Sequence, residues 1–144
     1  MKIIIVVFLI LVSFFGNAQV YDCPLDKGRI VISLKKENYG VNELGTTITS
    51  TKNGKVRSFI SGKILNVLKD SLSGSYVVVV NNEKEYISFN GLSKVNVKKD
   101  DIIKKGEKIG KIKITDKKYT LILMKFIDNK LIPKPFENDL RCIK

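Results

Sequence analysis

Leu92-Ser93-Lys94-Val95-Asn96-Val97-Lys98-Lys99-Asp100-Asp101-Ile102-Ile103-Lys104-Lys105-Gly106-Glu107-Lys108-Ile109-Gly110-Lys111-Ile112 is the stretch whose reading decides the fold. It begins as the end of a strand and passes through a polar, lysine-rich turn. It then touches a short apolar pair at Ile102-Ile103 and leaves through Gly106 into another strand. Gly106 and Gly110 fall where tight turns at a barrel corner need a residue without a side chain. No helical period of apolar positions runs through this stretch, nor through the chain from residue 19 onward.

Outward from it, the same β pattern repeats. Residues 28–34 alternate and read as a first strand, and residues 35–44 are polar and read as a loop. Residues 46–51 are rich in β-branched side chains. Asn53-Gly54 then predicts a hairpin, because both residues tolerate positive φ, returning the chain through residues 55–60. Residues 63–68 continue, residues 71–75 turn, and residues 76–80 form an apolar run expected to be covered on both faces. Asn81-Asn82 turns that run into residues 85–89. Residues 108–114 and 119–127 supply two more strands, and Asp128-Asn129-Lys130 turns the last into Leu131-Ile132. Short strands at this spacing predict an all-β fold, a small antiparallel barrel or sandwich.

The N-terminus reads differently. Lys2 precedes an unbroken apolar run from Ile3 to Val12, and Gly16-Asn17-Ala18 supplies the small residues that a signal peptidase reads. The expectation is a signal peptide over residues 1–18, cleaved after Ala18, against a retained anchor or a buried strand. Asp22 before Cys23, and the gap after the apolar run, speak against lipidation of that cysteine. Residues 19–144 then form a single domain, large enough for one modest core. It holds the only two cysteines, Cys23 and Cys142. In an oxidising compartment these are expected to pair rather than remain free thiols. The closed loop of roughly 120 residues would stabilise the fold by about 4–5 kcal/mol.

The 144 residues carry a formal charge of +12. Among the 26 basic residues only Arg29, Arg57 and Arg141 are arginine, the side chain that base and phosphate recognition favours. Export and the lack of arginine forks exclude nucleic acid. The lysine excess is either a solvated surface or an attraction to an anionic envelope surface. The chain contains no histidine, which excludes Ser-His-Asp and Cys-His catalysis. Asp100-Asp101 reads as a solvated loop rather than a glycosidase pair, and no phosphate-binding loop is present.

The quoted stretch, together with Gly62-Lys63-Ile64 before it and Asn129-Lys130-Leu131-Ile132-Pro133 after it, resembles the barrel of lysostaphin-type (LytM-like) murein endopeptidases. The likeness runs over residues 62–136 and implies their duplicated hybrid-motif β-barrel. These enzymes hold zinc with histidine and aspartate. Carried across, the resemblance places Glu43 at the first histidine and Thr47 at the aspartate. Gly91 stands where a histidine precedes leucine-serine, and Leu121 and Leu123 stand at the final histidine-x-histidine pair. Of these only Glu43 offers a side-chain ligand of the kind zinc takes in such sites, too few to lower the pKa of a bound water toward neutrality. The resemblance therefore implies a degenerate peptidase without zinc, cofactor or hydrolysis, exported to the periplasm or beyond.

What would remain is a binding groove near Ser88, Phe89, Asn90 and Gly91, with Glu43 and Thr47 opposite. Phe89 alternatively reads as an ordinary core aromatic, and Asn90 as a turn residue. The implied partner is peptidoglycan or a cell-envelope protein such as a cell-wall hydrolase, with membrane contact only during export. The alternative is a hybrid-barrel adaptor or carrier-like module of the envelope. Lys84 sits at a turn as a carrier lysine would, but its neighbours do not match the carrier tetrapeptide, and the helical hairpins of adaptors are absent.

Overall fold

The structure, a computed structural model, describes residues 20–31, 45–83, 85–127, 130–132 and 139–143. The expected signal peptide, Glu43 and Lys84 lie outside them. The described residues contain no helix. In chain order the strands are β1 (Tyr21–Asp22), β2 (Arg29–Val31), β3 (Thr46–Ser50), β4 (Lys55–Arg57), β5 (Gly62–Lys69), β6 (Tyr76–Asn82) and β7 (Glu85–Leu92). They continue with β8 (Lys94–Val95), β9 (Ile102–Ile103), β10 (Lys108–Lys111), β11 (Tyr119–Ile127), β12 (Lys130–Ile132) and β13 (Leu140–Arg141).

An eight-stranded antiparallel sheet runs β2-β3-β11-β7-β6-β5-β9, with β12 also on β11. A second, three-stranded sheet runs β4-β10-β8. The all-β antiparallel expectation holds for both. The exception is the pairing of the two chain ends, where β1 and β13 run parallel. Apolar side chains from the sheets and both chain ends form one contiguous core that includes Val56, Ile64, Ile87, Phe89, Ile109, Leu121 and Leu123. Two layers that each bury one face against a shared core are the ordinary solution for strands of alternating polarity.

Three details depart from the sequence reading. Asn53-Gly54 does not close a hairpin, because β3 and β4 belong to different sheets, and neither residue has a positive φ. A Cβ on Gly54 would lie 2.2 Å from the Ile112 carbonyl oxygen, so the glycine serves close packing of two backbones. Asn53 donates its side-chain amide to Asp26 at 2.9 Å. The valine run of β6 is fully covered on one face and partly on the other: Val78 and Val80 are buried, Val77 and Val79 half-buried. Finally, β10 stops at Lys111, short of the expected residue 114. Gly106, at φ +90°, does form the tight turn expected of it.

The chain ends form a clasp. Cys23 and Cys142 are joined by a disulfide. Ile30 N–H donates to the Ile143 carbonyl and Ile143 N–H to the Gly28 carbonyl, each at 2.9 Å. A Cβ on Gly28 would meet both the Cys23 Sγ and Ile48, so this glycine lets the clasp seat directly on β3. Aromatic rings continue the contact inward, from Tyr21 to Phe59 at 5.1 Å and from Phe59 to Phe89 at 5.4 Å between centroids. The Tyr21 hydroxyl donates to Glu85 at 3.3 Å, and Glu85 pairs with Lys125 at 3.2 Å. Burial, and then the Glu85 carboxylate, push the Tyr21 phenol up to about 12.

Candidate functional site

The positions at which the resemblance places metal ligands separate into two environments. On β11, Leu121 pairs with Ile48 and Leu123 with Thr46 on one side, while Leu123 pairs with Phe89 on the other. Side chains directly opposite one another across a ladder share a face. Leu121, Leu123, Phe89 and Ile48 are all 0% exposed, so this face is packed core. Phe59 and, beyond it, the clasp lie over it. Leucine carries no ligand atom. Thr46 Oγ1, buried beside Leu123, has no hydrogen-bond partner among the described residues, and one hydroxyl does not make a zinc site. Among the described residues no three His, Cys, Asp or Glu side chains gather as a ligand set. The described residues do not fit zinc.

Strand alternation also divides the groove expected along Ser88, Phe89 and Asn90. Phe89 faces the core, whereas Ser88 and Asn90 face the other side of the sheet. Thr47 joins them there through its pairing with Ile122, itself the partner of Asn90. Asn90 is no turn residue. Its amide donates to the Ser88 hydroxyl at 2.9 Å and to the Ile122 carbonyl at 3.0 Å, tying β7 to β11. Ser88 and Asn90 therefore spend these polar groups on internal bonds.

Gly91 is different. It is the extra residue of a β-bulge: Tyr76 pairs with Leu92 and Val77 with Asn90, leaving Gly91 unopposed. Its φ of +96° is a conformation that glycine adopts without strain. The missing side chain opens a cleft of about 350 Å³ lined by Ser73, Ser75, Gly91, Ser93, Lys113 and Thr120, with Gly74, Ile112 and Thr115 at its edges. Three connections build it: the β5–β6 hairpin, the β7–β8 step and the β10–β11 loop.

The hairpin wall is held by Asp70. Its carboxylate accepts the Leu72 N–H at 3.0 Å and the Ser73 hydroxyl, while the Ser73 and Ser75 hydroxyls lie 2.7 Å apart. The Ser73 hydroxyl, followed by the Leu72 backbone N–H, holds the Asp70 carboxyl below its usual range. Ser93 is tied to the Lys111 carbonyl through both its N–H, at 2.8 Å, and its hydroxyl, at 3.1 Å. The result is a preformed cleft with hydroxyls on all three walls and one ammonium group. It suits a neutral or weakly anionic ligand rich in hydroxyl, amide or carboxylate groups. Sequence reasoning named Gly91 but not the walls. Their signal was the serine-rich turn of residues 71–75, read only as a turn.

Residues 41–128, well over half of the chain, match peptidase family M23. No curated protein sequence matches the chain. Among solved structures, a zinc-containing peptidase from Vibrio cholerae superposes with a TM-score of 0.61 at 23% identity, covering 79% of this chain and 39% of that one. The SpoIIQ–SpoIIIAH pore-forming complex gives a TM-score of 0.61 at 17% identity, covering 82% of this chain and 90% of that one. The antimicrobial peptidase lysostaphin from Staphylococcus simulans gives a TM-score of 0.59 at 19% identity, covering 76% and 47%. The chain thus spans less than half the length of these two peptidases. The β-sheet body built around β5, β6, β7, β10 and β11 is the segment matched, and the clasp residues 20–31 and 139–143 fall outside it. This chain belongs to peptidase family M23.

Proposed function

We propose that the protein is an exported, non-catalytic member of its family that binds peptidoglycan in the cleft beside Gly91. One observation carries this reading. The face that would have to present metal is filled by Leu121, Leu123 and Phe89, each 0% exposed, while the neighbouring Gly91 position is open and walled with hydroxyls. Without a metal-bound water the chain lacks the nucleophile that the family resemblance implies for amide hydrolysis. Peptidoglycan offers the hydroxyl, amide and carboxylate groups that Ser73, Ser75, Ser93, Thr120 and Lys113 can bond. Export is supported by the Cys23–Cys142 disulfide, which persists in an oxidising compartment, and by the apolar N-terminal run.

A protein partner is the second reading. It is favoured by the match to the SpoIIQ–SpoIIIAH complex, 90% of whose matched chain this chain covers. The carrier reading has no support in the cleft.

The test is co-sedimentation with purified peptidoglycan, using variants that fill the cleft from exposed positions, Ser93→Trp and Thr120→Trp. Each is expected to weaken binding at least tenfold with an unchanged thermal transition. Unaltered binding in both variants sinks the cleft. Stoichiometric zinc in the purified protein, or fragments released from muropeptides, overturns the non-catalytic reading.

A further inference from the structure

On the outer face of the three-stranded sheet, cations stand opposite cations. Lys111 pairs with Lys55 on one neighbouring strand and with Lys94 on the other, and Lys108 pairs with Arg57. Lys55 and Arg57 are two residues apart and so share a face. A strand of regular period would then turn either Lys108 or Lys111 away from them, because these two are three residues apart. The register shift between Lys108 and Gly110 removes that conflict. It turns Ile109 and Gly110 inward, where both are buried, and brings both lysines to the outside. Five cations thereby occupy one face.

Like charges directly opposite across a ladder destabilise a sheet. The strain is visible at Lys108, whose ammonium is held below its usual range by partial desolvation and by the fields of Lys111, Lys55, Arg57 and Lys94. Elsewhere the chain neutralises such charges: Lys63 pairs with Asp100, Lys105 with Asp22 and Lys125 with Glu85. Among the described residues no ion pair joins any of the five to a carboxylate. Asp26 feels the fields of Arg57 and Lys55, but its carboxyl is held below its usual range first by its bond from Asn53.

We propose that this face, independently of the cleft, binds a linear polyanion bearing phosphate groups. Lys94, Lys111 and Lys55 form a row across three adjacent strands, with side chains roughly 5 Å apart at each step, a spacing suited to closely set anions along a chain. Four of the five are lysines, point charges that meet phosphates from any direction, rather than arginine forks that would select one geometry. The apolar residues between them, Val56 and Ile109, are 0% exposed and point inward. The face thus lacks the apolar anchor that stable seating on a bilayer needs beside charge, and this favours a soluble polymer over a membrane.

The probe is inorganic polyphosphate titrated into the intact protein at several salt concentrations. Vesicles of phosphatidylglycerol and phosphatidylcholine form the second arm. The triple variant Lys55→Gln, Lys94→Gln, Lys111→Gln is expected to bind polyphosphate at least tenfold more weakly at low salt, with the slope of log affinity against log salt smaller by about 2. Lys69→Gln, Lys99→Gln, Lys117→Gln removes the same charge from exposed sites elsewhere and is expected to lose less than threefold. Thr120→Trp is expected to retain polyphosphate binding, so this proposal and the cleft stand or fall separately. Equal losses in the two triple variants, or tighter binding to the vesicles than to polyphosphate, overturn the proposal.

Discussion

Leu121 and Gly91 are near neighbours, one step along the ladder from the Asn90–Ile122 pair, yet they belong to opposite regimes. Around Leu121 and Leu123 the sheet is sealed: neither side chain is exposed, tilted aromatic rings pack beside Phe89, and a disulfide-bonded clasp lies beyond. Around Gly91 the sheet is open, with a bulge, a positive φ and a cleft lined by hydroxyl groups. Positions that the family resemblance places in a single zinc site have thus been divided between interior and surface. A site can lose its metal simply by losing donor atoms. Here the strand face on which the resemblance expects donor atoms is folding core, with Leu121 and Leu123 both 0% exposed.

The largest effect breaks that comparison directly if it fails. Leu121→His with Leu123→His restores the family's ligand pair in sequence but exchanges two fully buried leucines for polar rings. The expected penalty exceeds about 5 kcal/mol, from lost apolar burial and unpaired polar groups, enough to unfold a domain of this size. Circular dichroism and metal analysis of the variant check it. A folded, zinc-loaded product would mean that the core face is an open site after all.

Next in size, Cys23→Ser with Cys142→Ser releases the clasp above that face. The expected loss is about 4–5 kcal/mol by denaturant unfolding, from the loop entropy restored to the unfolded chain. Under conditions where the variant remains folded, peptidoglycan affinity should stay within a factor of two, because the cleft lies on other connections. A comparable loss of affinity would show that clasp and cleft are one unit.

The smallest effect concerns how the clasp is seated. Tyr21 has its phenol pushed up from 10.0 to about 12. A raised acid pKa favours the protonated folded form, so its contribution is complete below pH 10 and is lost as pH climbs from there to about 12. The thermal midpoint should fall across that window more steeply in the native chain than in Tyr21→Phe. Equal slopes would remove Tyr21 from the account of what closes the core.

Much of this was legible in the sequence, and the exceptions share a cause. The bounds of β11 match the strand read over residues 119–127, and the disulfide followed from compartment and count. What eluded the one-dimensional reading depended on which strands meet. Asn53-Gly54 carries the strongest hairpin signal in the chain, but the sheet needed its glycine for contact with Ile112. Phe89 was weighed as groove or core, and its pairing with Leu123 decides for core. The cleft and the cationic face both arise from bulges, at Gly91 and in β10. A one-residue shift in register is set by neighbouring strands and leaves no mark on local polarity. Glu43, the one position with a ligand atom, lies outside the described residues.

The clasp has a mechanical consequence as well. Because Cys23 and Cys142 are covalently joined and β1 lies parallel to β13, a pull applied to the two ends of the chain travels through one sulfur–sulfur bond. It bypasses the residues between them. Tension on the termini would strip β1 and the Ile143 bonds, which lie outside the disulfide-closed loop, and then stop at the sulfur–sulfur bond, leaving β13, the cleft and the cationic face under no load. On the proposed reading, in which the cleft binds peptidoglycan, that cleft would keep its shape whichever end is held.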